Sequence, residues 1–233
     1  MITLDDLKTN RDTQITVICI AFFLIAFPGY FAMKGGNASG SGAMGGVADY
    51  NVNGELTYIQ IADGIEYIAD GDTLMIDDLH TDSVDGAEDM NIVGVRVVMS
   101  YGEDETGRGP PCLSQTAADT ITGSATHGDF TGSADGQNGG QNGGHDVTVE
   151  WFNSSMVGAT VSGLSESEIV SQIDSMGAGL GAYSADIGVT AQADGCTIPG
   201  QPDNDDNGEE VTYSVELIIF DYTIAPDFDE AEL

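Results

Sequence analysis

Positive charge is what this sequence lacks most. Five lysines and arginines stand against 39 aspartates and glutamates, giving a net charge of −34. Up to Lys34 the charges balance, with Asp5, Asp6 and Asp12 against Lys8, Arg11 and Lys34; beyond it only Arg96 and Arg108 are basic. So acidic a surface repels phosphate backbones and anionic lipid, which argues against a nucleic-acid partner. Its self-repulsion is tolerable where salt screens charges within a few ångströms, so the composition predicts a salty, halophilic or marine setting. An acidic disordered chain is a poor fit, because 41% of the residues are hydrophobic and they fall in patterned runs.

Cysteine and histidine are scarce as well, three of each. Cys112 and Cys196 lie in the acidic part. Outside the cytoplasm they predict one disulfide, which would close a long loop and be worth about 4 kcal/mol in the chain-entropy model; in a cytosolic domain the pair stays reduced. Neither Cys112 nor the isolated His80, His127 and His145 has the close Cys/His/carboxylate spacing of a zinc or copper centre, so the histidines are expected as solvated loop residues. A G-x-S-x-G elbow is missing, and no regular repeat suggests a solenoid or propeller.

One long hydrophobic run is present, Ile15–Met33, uncharged and bracketed by Arg11, Asp12 and Lys34. As a helix it reaches about 28 Å, close to the hydrocarbon thickness of a bilayer. It predicts a single N-terminal transmembrane helix over 15–34. A cleaved signal peptide is the main competing reading, although its apolar region is normally shorter and its exit less bulky than Phe27, Pro28, Tyr30 and Phe31. A buried core helix is the third reading. Two cations before the run against one after it favour the N-terminus inside and the rest outside, a cell-membrane location. Residues 1–14 are then a short cytoplasmic tail, 35–48 a Gly/Ser-rich linker, 49–225 an acidic ectodomain and 226–233 an acidic tail.

Within the ectodomain the period is mostly two. Glu55 to Asp77 reads as short strands with a hairpin at Asp63-Gly64 and a turn at Asp70-Gly71-Asp72. Ile92 to Tyr101 places Val93, Val95, Val97, Met99 and Tyr101 on one face, with Ile92 and Val98 opposite, as in a central strand. Ala117–Thr126, Asp146–Phe152, Val157–Val161, Asp186–Ala193 and Val211–Ile224 supply more strands, with Trp151 as a core anchor. Gly128 to His145, with its tandem Gln-Asn-Gly-Gly, is expected to be a mobile loop tip. Ser165–Met176 is the one soluble helix predicted, opened by a Ser165/Glu168 capping box. The glycines at 177, 179 and 181 follow that helix and so stop it, instead of cradling a phosphate. The fold class is mainly β: an extracytoplasmic β-sandwich or jelly-roll-like domain with one short helix.

The sharpest chemical motif is Asp203-Asn-Asp205-Asp-Asn207-Gly208, which matches the first half of a calcium loop. Ser214 replaces the closing glutamate and a strand follows, so this is no EF-hand. Asp203, Asp205, Asn207 and Glu209 remain candidate ligands of a looser calcium site, against the alternative of a solvated acidic loop. The cluster Asp77, Asp78, Asp82, Asp85, Glu88 and Asp89 fits no known loop spacing. Asn37 and Asn153 match the N-glycosylation acceptor pattern. No cofactor is required by any motif.

The overall plan, an anchor, a flexible linker and a very acidic β domain, resembles that of envelope proteins in acidic-proteome archaea, a likeness of composition alone. The leading expectation is a membrane-anchored ectodomain with a non-enzymatic binding, adhesion or envelope role and a protein or glycan partner. Two alternatives stand beside it: a metal-dependent enzyme or solute-binding subunit using the carboxylates, and an accessory subunit of a membrane assembly.

Overall fold

The computed structural model describes residues 46–102, 117–138, 142–192 and 206–227, and the fold below is that of the compact unit from Val47 onward. The predicted anchor at 15–34, Cys112, Cys196, Asn37, Asp203 and Asp205 lie outside the described residues. Among those described, no helix is long and apolar enough to cross a membrane.

Among the described residues nine strands and one α-helix follow in order: β1 (Ala48–Ala69), β2 (Thr73–His80), β3 (Ile92–Tyr101), β4 (Thr120–His127), β5 (Phe130–Gln137), β6 (Gly143–Glu150), β7 (Thr160–Leu164), α1 (Glu166–Ile173), β8 (Ala182–Thr190) and β9 (Gly208–Pro226). They form two antiparallel sheets, ordered β6-β3-β9-β1-β7 and β2-β8-β4-β5. Alternation decides what each strand buries. On β3, Val95, Val97, Met99 and Tyr101 turn to the inner face; on β9, Val211, Val215, Leu217 and Ile219 do the same. They meet Ile121 and Ala125 of β4 and Tyr183, Ala185, Ile187 and Val189 of β8 in one apolar core.

Among the described residues, α1 covers one end of the outer face of the five-stranded sheet. There Ile169 and Ile173 of α1 pack on Tyr50, Val52, Val93, Ile218 and Phe220. Ser165 caps α1 as the sequence predicts: its hydroxyl accepts from Glu168 N while the Glu168 carboxylate accepts from Ser165 N. The helix stops earlier than its apolar spacing predicts. Asp174 is already extended and Met176 has a φ of 51°, so Met176 is exposed instead of continuing the buried stripe. Asn91 holds the exit, donating to Ile173 O and Phe220 O and accepting from Ser175 N.

Asp63-Gly64 is not a hairpin: β1 runs straight through it, paired with β9 and interrupted only by a register shift between Gln60 and Ala62. Gly64 is needed there because a Cβ would lie 2.7 Å from the Tyr213 hydroxyl on β9. Gly128 to His145 is not one loop either. Phe130–Gln137 is β5, paired along its whole length with β4. Its small residues are required by packing, since a Cβ on Gly132 or Gly136 would collide with Val149 or with His145 and Tyr101. The turn at Asp70-Gly71-Asp72 is present, with Gly71 at a φ of 78°.

Candidate metal centre

At one end of the two sheets, three carboxylates converge. Asp119 precedes β4, Asp206 precedes β9 and Glu209 is in its first turn of pleat; their nearest oxygens all lie within 4.8 Å of one another. Asp119 and Glu209 are 0% and 1% exposed, and Asp206 Oδ2 and Glu209 Oε1 are both shut off from solvent.

Each acid is placed by its local chain. Asp119 forms a reciprocal pair with Asn138 just past β5: its N–H donates to Asn138 Oδ1 at 3.0 Å, and Asn138 Nδ2 donates to Asp119 Oδ2 at 2.8 Å. Gln192 N, just past β8, donates to Asp119 Oδ1 at 2.7 Å. The Asp206 Oδ1 accepts from Gly208 N at 3.2 Å. Gly208 has a φ of 136° and lies so close to β1 that a Cβ would overlap Ile68 O, so only glycine fits the start of β9. The next residue, Glu209, falls in the inward register of Val211, Val215 and Leu217. A carboxylate thus sits where alternation would otherwise put an apolar side chain.

The donor set is all carboxylate oxygen, which suits a hard cation. Calcium binds oxygens at about 2.3–2.6 Å, so two ligands of one ion can be about 5 Å apart at most, and the spread of this cluster falls within that limit. Among the described residues this is the one grouping of three or more such side chains with ligand atoms so close.

Of the residues expected from the calcium-loop motif, Glu209 is in the cluster. Asn207 is exposed and only its carbonyl is engaged, accepting from Asp70 N at 2.9 Å. Asp206 and Asp119 were not singled out. The β9 alternation could have flagged Glu209 as inward-facing; nothing in the order of residues joins it to Asp119, which comes from the other sheet and meets it where the two sheets pack. Asp77, Asp78, Asp82, Asp85, Glu88 and Asp89 make no such grouping. Asn153 is half-buried, its Nδ2 donating to Gln172 Oε1 and its Oδ1 accepting from Ser155 Oγ.

The histidines depart from the expectation of solvated loop residues. Only His80 fits, exposed at the end of β2 with Nδ1 accepting from Asp82 N. His127 is 6% exposed and stacked 4.1 Å from the Tyr183 ring, with Trp151 on another side. Its two ring nitrogens face the carbonyls of Ala182 and Ala178. His145 bridges Tyr101 and Ala134 O. Trp151 anchors this layer as expected, half-buried, its indole N–H donating to Ile92 O. Tyr183 donates to Gly179 O, and burial pushes its hydroxyl well above the ordinary tyrosine range.

Among the described residues the chain is thus mainly β, two antiparallel sheets and one short helix, with a buried acidic triad that could hold a metal. Neither protein-family models nor curated proteins gave a match to the sequence.

Proposed function

We propose that the protein is a single-pass, membrane-anchored β-sandwich displayed outside the cell, with a non-enzymatic binding, adhesion or envelope-structural role, and that Asp119, Asp206 and Glu209 hold a structural divalent cation of the calcium class. The observation that carries this reading is the convergence of three carboxylates, two of them fully buried, where the approaches to β4 and β9 meet the ends of β5 and β8. A cation there ties these segments together and offsets like charges that are costly to bury as a group. Outside a cell, where calcium is abundant, even millimolar affinity suffices. The anchor rests on the uncharged Ile15–Met33 run, and the exported location on Lys8 and Arg11 before it against Lys34 after it.

The test is a calcium titration of the full-length protein in detergent at high monovalent salt, following Tm. A specific site raises stability with the logarithm of calcium beyond its Kd, reaching about 2.7 kcal/mol at a hundredfold excess. Glu209→Gln is expected to abolish that response while leaving Tm without calcium equal or higher, since it removes one of three crowded charges. A response no larger than that to sodium at equal ionic strength, or one that survives Glu209→Gln, overturns the cation site.

A further inference from the structure

We infer that the open edge of β1 is a docking site for an extended, basic polypeptide strand. This rests on the reading of the domain as a binding module and is independent of the cation site.

The edge is defined by backbone geometry. On the side of β1 away from β9, β7 pairs only with its start, Ala48 to Asn51. Val52 closes that contact, donating to Ala159 O and accepting from Gly158 N. From Tyr50 to Gln60 the pairing of β1 with β9 has no register shift. In an antiparallel strand, alternate residues point their N–H and C=O to alternate sides. Gly54, Leu56, Tyr58 and Gln60 therefore turn their backbone groups the same way as Val52, along an edge of about 20 Å that no strand occupies among the described residues. The neighbouring edge, β2, is guarded differently: it is short, its register shifts between Ile76 and Leu79, and Asp78 there has a φ of 62°. The stretch from Gly54 to Gln60 has no such interruption.

Charge selects the occupant. Glu55 lies directly opposite Asp221 in the β1–β9 ladder, both exposed, a cross-strand pair of like charge that costs stability. Asp63 and Glu66 extend the same sign along β1. Arg96, the one lysine or arginine among the described residues, is committed elsewhere: Nε donates to Glu216 at 2.6 Å and the guanidinium lies 3.6 Å over the Tyr58 ring. An incoming strand with lysine or arginine opposite Glu55 would relieve the repulsion while its backbone fills the edge. A second copy of this chain would bring 39 acids against five lysines and arginines, so it is the disfavoured occupant.

The probe is a labelled ten-residue peptide of alternating valine and lysine, titrated into the full-length protein in detergent at moderate salt. It should bind saturably, whereas the same peptide with alternate backbone nitrogens methylated, and its glutamate counterpart, should not. Gln60→Pro deletes an edge-facing N–H that β9 does not use and is expected to weaken binding about tenfold. Glu55→Gln provides a check that cannot be confused with unfolding: it should weaken the lysine peptide severalfold while leaving Tm unchanged or raised. Equal binding of the methylated peptide would reduce the interaction to charge alone and overturn the inference. So would no binding, or cross-linking between Thr57→Cys copies showing that a second chain fills the edge. Loss of peptide binding with an intact calcium response sinks this inference and leaves the cation site standing.

Discussion

At the margin where β5 lies over β6, small residues on one strand receive large ones from the other. His145 of β6 reaches across to Ala134 O, the Tyr101 hydroxyl meets His145 Nδ1 at 3.1 Å, and Gly136 leaves room for both rings. At the far end Phe130, 40% exposed, rests against Trp151 with ring centroids 5.3 Å apart. At the opposite margin, where β1 turns into β2, Ile65, Tyr67 and Met75 are exposed and the β1 backbone faces outward. The first margin is sealed by interlocking rings and hydrogen bonds; the second, although its turn is hydrogen-bonded to β8 and to Asn207, leaves large apolar side chains in solvent. Sealing commits a margin to stability; leaving it open at the edge of an otherwise filled fold keeps it available for recognition.

The contrast predicts where substitutions hurt. Gly136→Val should have the largest effect, since any Cβ there overlaps His145 Nδ1 and the Tyr101 hydroxyl, both held by packing. A loss of about 3 kcal/mol is expected, read as a lower urea midpoint or a fall in Tm of roughly 10 °C. Tyr101→Phe should cost less, about 1–2 kcal/mol, because His145 Nδ1 loses its partner while the ring volume stays. The same variant sharpens the comparison at high pH. Burial raises the Tyr101 hydroxyl above its ordinary value of 10.0, and burial followed by Asp174 pushes Tyr222 up to about 12. A group raised on folding contributes fully below its unfolded value and loses that contribution as pH climbs through the folded one. Wild-type protein should therefore lose stability as pH rises above about 10, and Tyr101→Phe should flatten that decline.

How much of this was legible depends on whether the signal is local. The alternation of Val95, Val97 and Met99 sufficed to place β3 as a central strand, and Ser165 with Glu168 sufficed to start α1, because each rests on neighbours in sequence; Val93, expected on the same face, packs under α1 and Ile92 takes the inner face, because the register shifts between Ile92 and Gly94. Gly64 and the glycines of β5 misled for the opposite reason. A glycine that makes a turn and one that lets a distant ring pass look alike, and only Tyr213, Tyr101 and His145 in three dimensions tell them apart. His127 read as a loop residue because its partners Ala178, Ala182 and Tyr183 come from the approach to β8 and its first residues. The acidic triad was half legible: the calcium-loop motif drew attention to Glu209, but Asp119 comes from the other sheet, and no spacing encodes how the two sheets pack.

The smallest effect belongs to the open margin. Met75 on β2 is 68% exposed, so replacing it with serine removes little buried area. A serine also fits an edge strand whose partner β8 supplies the hydrogen bonds on the other side. Stability should change by no more than about 0.5 kcal/mol, against the loss of about 3 kcal/mol at Gly136, measured in the same urea titration. If Met75→Ser instead cost as much as a core substitution, the β1–β2 margin would have to be covered in the folded protein.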